Sequence, residues 1–331
     1  MAGKHMKKLQ EDIKTGNWER MYLLFGEEEY LKKQYRNRLA EALLPEQKEM
    51  NYSYYEGKDI SVGAVIDTAE TLPFFADSRL IVIENSGWFK KGESRLTDYL
   101  QELPDTTRIL FVEREVDKRG RLYKAVTKLG YSAEMKRQEE GTLLRWVESR
   151  IRQDGKTISK DAAYRLLERS GSNMENLEKE IEKLICYRLD GAEITKADVE
   201  AITTWNMEEK VFSMIEAVAS KNRRKALDYY YELLALKEPP MKILNLLNSQ
   251  FRRLLETIAL KQRGLDKGQI AKELGVHPYA VSKYIQQGSR YKKEEIRRIL
   301  EEGADLEERV KTGRIADRMS VELFVVKYSS P

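Results

Sequence analysis

Residues 70–85 read ETLPFFADSRLIVIEN, and the fold turns on how this stretch divides. The branched apolar run at 80–83 (LIVI) predicts a strand buried on both faces, as in the interior of a parallel sheet. Asp77, Ser78 and Arg79 supply the turn before it. Leu72, Pro73, Phe74 and Phe75 form a short apolar knot. Pro73 has no backbone donor to give a helix interior or a central strand, so Phe74 and Phe75 fall where a helix ends and a loop begins. Adjacent aromatics in that position are either a plug folded back into the core or an anchor shown to a partner. The residues by themselves favour the plug.

Outward from this stretch, strands and helices alternate. Strands are predicted at 21–25 (MYLLF), 51–55 (NYSYY), 80–83, 108–112 (RILFV) and 131–135 (YSAEM). Helices are predicted between them: from about 27 to 43, closed by Pro45; over 60–71, capped by Asp59; over 96–103, ended by Pro104; and over 122–129. This order implies a parallel sheet with helices on both faces.

In such a sheet the turn after the first strand is the usual phosphate seat. A phosphate loop there would read G-x-x-x-x-G-K-[ST]. The chain instead has Gly26, Glu27, Glu28, Glu29, Tyr30, Leu31, Lys32, Lys33. The second glycine and the closing Ser/Thr are missing, and three glutamates crowd a helix start whose dipole they complement themselves. A nucleotide-type fold with no nucleotide and no cofactor is the resulting expectation. Glu113, at the end of the fourth strand, could imitate a metal-holding acid. A single acid at a strand end reads more simply as solvated.

After residue 140 the strand signals stop. An amphipathic segment at 142–154 is followed by helices from the cap Ser159 to 169, over 174–189, and to 203 from a Thr195/Asp198 capping box. Longer helices follow at 211–220 and 223–236, broken at Asn222. A further helix after Pro239 and Pro240 carries Ile243, Leu246, Leu247, Phe251, Leu254, Leu255 and Ile258 on one stripe, read as core. A final helix spans 320–328. Residues 269–285 (QIAKELGVHPYAVSKYI) have the small residue, turn glycine and apolar spacing of a helix-turn-helix DNA reader. Its second helix would show Tyr279, Ser282, Lys283, Gln286 and Gln287, without the arginines that most often read guanine.

At 331 residues, with 41% hydrophobic and 34% charged, the chain is globular and too long for one core. A lone cysteine, Cys186, allows no internal disulfide and fits a reducing cytoplasm. No stretch approaches the ~18 apolar residues of a membrane span. Two histidines, His5 and His277, argue against a zinc site or a His-based triad. A net charge of +4 permits weak attraction to nucleic acid without demanding it. The basic stretches 221–225 and 252–253 read as solvated or intersubunit. Residues 1–6 are set aside as a possible expression remnant.

Five separated blocks carry a resemblance: YLLFGEEEYL (22–31), TLPFFADSRLIVIEN (71–85), PMKILNLLNSQFRRLLET (240–257), IAKELGVHPYAVSKYIQQ (270–287) and DLEERVKTGRI (305–315). In this order they resemble the delta subunit of the bacterial DNA polymerase III clamp loader, in its Gram-positive form. The resemblance implies an AAA+-like clamp-binding domain without a working phosphate loop at 7–140, a helical lid at 141–207 and a helical collar at 208–331. It implies a non-catalytic subunit of the polymerase holoenzyme that holds the sliding clamp (the beta subunit) open for loading on DNA. Further implied partners are the ATPase subunits gamma/tau and delta-prime through the collar, and primed DNA, held weakly and without sequence preference. It also implies that Leu72, Pro73, Phe74 and Phe75 touch the clamp, with both phenylalanines as anchors. This reverses the plug reading and leaves a sequence-specific DNA regulator as the alternative.

Overall fold

The computed structural model describes residues 2–44, 48–189 and 193–329, so Pro45 lies outside the described residues. The chain divides into two compact units, Met1–Arg137 and Gln138–Pro331.

The first unit is built on a five-stranded sheet in the order β2-β3-β4-β1-β5. Its strands are β1 (Met21–Phe25), β2 (Tyr52–Glu56), β3 (Arg79–Glu84), β4 (Thr107–Glu113) and β5 (Tyr131–Glu134). Every pairing is parallel; Met21 lies opposite Ile109, Tyr22 opposite Tyr131 and Leu80 opposite Tyr52. The run 80–83 fills the interior as its composition dictates, each residue almost wholly excluded from solvent. Alternate side chains then serve opposite faces. Met21, Leu23, Phe25, Ile81, Ile83, Ile109 and Phe111 pack with Val65, Ala69, Leu96 and Val126 in one cluster. The other face meets the helix Glu29–Leu43, whose Leu31, Tyr35 and Leu39 are buried.

Several boundaries differ from expectation. The helix before β3 is Val62–Glu70, capped by the Ser61 hydroxyl accepting from the Ala64 N–H rather than by Asp59. The tyrosine-rich strand begins at Tyr52, because Asn51 closes a short helix, Lys48–Asn51. A helix at Trp88–Lys91 precedes another at Ser94–Tyr99, where a single segment at 96–103 was expected. Residues 1–6 were set aside, yet a helix spans Ala2–Thr15. Its Asp12 is buried and accepts from the Tyr22 hydroxyl at 3.0 Å.

The second unit is largely helical. Ser159 caps Lys160–Ser170, and Thr195 with Asp198 forms the capping box of Lys196–Ile202. One correction is small: strand signals do not stop at 140, since β6 (Thr157–Ile158) and β7 (Glu193–Ile194) pair in parallel. Pro240 opens the helix Pro240–Gln262, where a missing N–H costs nothing. Its stripe is core. Ile243, Leu247, Phe251 and Leu254 are fully buried, and Leu246, Leu255 and Ile258 pack on the same cluster. The helix Lys293–Lys311 adds Ile296, Ile299 and Leu306 to that cluster and was not anticipated. No helix among the described residues is long and apolar enough to cross a membrane.

Candidate partner-binding element

Three fixed points define the loop at 71–78. The helix Val62–Glu70 is held at its last turn by the Thr107 hydroxyl, which donates to the Ala69 carbonyl at 2.8 Å. The Arg79 N–H donates to the Thr106 carbonyl at 2.8 Å and starts β3. Between these, the buried Asn51 side chain grips the backbone of Phe74 from both sides. Its amide donates to the Phe74 carbonyl at 2.8 Å, and its carbonyl accepts the Phe74 N–H at 2.7 Å.

The side chains then point outward. Leu72 is 77% exposed, Phe74 50% and Phe75 81%, while Pro73 is half-buried. The two rings meet edge to face, centroids 4.6 Å apart. Phe75 sits at φ +47°, a left-handed backbone that a bulky residue rarely adopts. The plug reading is therefore corrected: neither ring is folded back into the core. Leaving a large apolar side chain in water forgoes roughly 1.5–3 kcal/mol of burial, so the strained backbone is spent on exposing the pair, not on hiding it. Arg79 is half-buried.

At the other end of the sheet, the loop after β1 is tied to the chain's own carbonyls. The Gly26 N–H donates to the Glu113 carbonyl at 3.2 Å and the Glu28 N–H to the Met135 carbonyl at 3.0 Å. Gly26 lies at φ +124°, and a Cβ there would stand 2.3 Å from the Met135 carbonyl oxygen. Lys32 is buried and spends its ammonium on Glu29 at 2.9 Å and on the Glu113 carbonyl at 3.2 Å. The glutamates do not all cap the helix. Glu27 pairs with Arg137 at 3.3 Å, and Glu28 is buried. Burial pushes the Glu28 carboxyl up to about 7, against the pull of the Tyr30 N–H and Arg137.

Glu113 is not solvated, as a lone acid at a strand end was expected to be. It is buried, its carboxylate accepting from the Ser86 N–H at 2.9 Å and from the Ser86 hydroxyl. Burial raises its pKa despite these bonds. Among the described residues no group of three or more His, Cys, Asp or Glu is placed to hold a metal.

The helix-turn-helix lookalike is real as geometry: Lys267–Leu274, a left-handed Gly275, then Pro278–Gly288. Its second helix is committed internally. Lys283 pairs with Glu209 at 2.6 Å, and the buried Gln287 donates to the Phe212 carbonyl at 3.2 Å.

Comparison with known proteins agrees with this architecture. The family profile "DNA polymerase III, delta subunit" matches residues 22–138, and "DNA polymerase III delta subunit, C-terminal domain" matches 208–328. The chain is 29% identical to the DNA polymerase III subunit delta of Bacillus subtilis (strain 168) over 330 residues, covering 96% of this chain and 95% of that protein. It is 24% identical to the probable DNA polymerase III subunit delta of Aquifex aeolicus (strain VF5) over 271 residues, 78% of this chain and 76% of that one. Among solved structures, the Bacillus subtilis DNA clamp loader delta protein (YqeN) superposes with a TM-score of 0.82 at 28% identity, over 98% of this chain and 99% of that chain. The chain belongs to the DNA polymerase III delta-subunit family. Its first unit carries the five-stranded parallel sheet and its second is largely helical. The helix-turn-helix segment lies inside the matched C-terminal domain.

Proposed function

We propose that this chain is the clamp-binding subunit of a replicative clamp loader and a non-catalytic component of the DNA polymerase III holoenzyme. It docks on the sliding clamp through Leu72, Pro73, Phe74 and Phe75 and holds one clamp interface open. Sister ATPase subunits of the gamma/tau kind then load the ring on primed DNA. In this reading residues 7–140 bind the clamp, 141–207 form a lid, and 208–331 form a collar that joins gamma/tau and delta-prime. Contacts with DNA are weak and sequence-independent, and the site of action is the cytoplasm.

The observation that supports this reading is the outward presentation of Leu72, Phe74 and Phe75 on a loop fixed at both ends and in the middle. Aromatic side chains entering a partner's pocket are typical hot spots. Each ring brings roughly 1.5–3 kcal/mol of burial before ordering costs. Ring opening can draw only on affinity that favours the open form.

The test is the double substitution Phe74→Ala with Phe75→Ala. Affinity for the sliding clamp should fall at least ~100-fold, equivalent to roughly 3 kcal/mol, with an unchanged circular-dichroism spectrum and melting temperature. Unchanged affinity per folded molecule would refute the assignment.

A further inference from the structure

We propose that Asn51 is a positioning residue for the clamp-binding element, setting its affinity without touching the partner. The inference rests on the function proposed above and adds a residue to it.

Asn51 closes the short helix Lys48–Asn51 just before β2, an edge strand. Its side chain is fully buried, and both halves of its amide are spent on one residue, Phe74, which lies 23 positions away in the chain. That is the two-way exchange one strand makes with another, performed here by a side chain. The choice of target is informative. Phe74 gives its backbone N–H and carbonyl to this buried amide while half of the residue stays in water. What the amide does is select one conformation of the loop.

That conformation is one the chain would otherwise avoid. The next residue, Phe75, lies at φ +47°, and Leu72, Phe74 and Phe75 all face water. A loop released from Asn51 would relax Phe75 to an ordinary backbone and lay the apolar side chains on the nearest surface. The partner would then meet a fraction of competent molecules and would have to reorder the loop on binding. Holding a segment in its bound shape before the encounter removes that cost.

The experiment measures clamp affinity for the wild-type chain, Asn51→Ala, the Phe74→Ala/Phe75→Ala double variant, and the combined triple variant. Hydrogen exchange at the Phe74 amide is followed in the absence of the clamp. Asn51→Ala should bind about tenfold more weakly and exchange the Phe74 amide at least about tenfold faster. In the triple variant the Asn51 change should add nothing, because the rings it positions are gone. Wild-type affinity in Asn51→Ala, or a tenfold loss that persists in the triple variant, overturns the inference while leaving the clamp-binding assignment standing. Wild-type affinity in the double variant overturns the assignment and this inference with it. Should Asn51→Ala fail to fold, Asn51→Asp decides. It keeps the acceptor for the Phe74 N–H and loses the donor to the carbonyl, so it should bind more weakly than wild type; wild-type affinity in this variant is again a refutation.

Discussion

Two loops at opposite ends of one parallel sheet are put to opposite uses. The loop after β1 lies at the carboxyl ends of the strands, where open α/β sheets ordinarily take their ligands. Here its amides donate to the carbonyls of Glu113 and Met135, and Lys32 is buried on the chain's own groups. The loop before β3 lies at the amino ends, where such sheets ordinarily take nothing. There the backbone is tied down and the side chains are turned out. Closing a site means satisfying every polar group internally. Opening one means fixing the backbone so that apolar side chains cannot retreat. The difference lies in which half of the residue, backbone or side chain, the rest of the fold engages.

The comparison breaks first at the amino-terminal end. Replacing both phenylalanines should remove roughly 3 kcal/mol of clamp affinity and leave the urea midpoint of the protein unchanged, because neither ring is buried in its own subunit. A fall in stability that accounted for the lost binding would erase the distinction between the two loops.

The carboxyl-terminal end should behave in the reverse manner. Gly26→Ala forces a Cβ to 2.3 Å from the Met135 carbonyl oxygen on a backbone at φ +124°. It should cost at least about 2 kcal/mol of stability, read by urea denaturation, while clamp affinity per folded molecule stays the same. An alanine variant as stable as wild type would mean that this loop is not packed shut.

Glu28 sharpens the same point through pH. Its folded-state pKa is raised to about 7 by burial, so the folded chain holds a proton that the unfolded chain has already released. Stability is then greatest below the ordinary glutamate range and is lost as pH rises toward about 7. Glu28→Gln should flatten that slope and stabilise the protein at pH 8 by about 1–2 kcal/mol. Equal pH slopes for the two proteins, measured by urea denaturation between pH 5 and 8, would place the carboxylate in water.

What was legible in the sequence was what neighbours in sequence determine. The buried run at 80–83, the cap Ser159, the break at Asn222 and the Thr195/Asp198 box are all marked by residues a few positions away at most. What was misread depends on distant groups. Asn51 looked like the first residue of a strand because nothing nearby marks its bonds to Phe74. The exposure of the two rings was unreadable for the same reason, and only the family resemblance pointed the right way. Glu113 looked solvated because Ser86, its partner, is 27 positions away. At the helix-turn-helix segment the local pattern was read correctly as geometry. That Lys283 and Gln287 are engaged within the chain follows from Glu209 and Phe212, which lie far upstream.

The smallest expected effect is none at all, and it tests the closed loop most directly. A phosphate loop binds by offering free backbone N–H groups and a lysine to the anion. In this chain two of those amides are already bonded at 3.2 and 3.0 Å, the lysine is buried, and Glu27 and Glu29 add negative charge at the mouth. Binding a triphosphate would require breaking these contacts and bringing like charges together. Calorimetric titration of the purified chain with MgATP should therefore give no saturable heat up to millimolar nucleotide. Micromolar affinity would show that the loop opens, and the contrast between the two ends of the sheet would have to be drawn from dynamics instead of from packing.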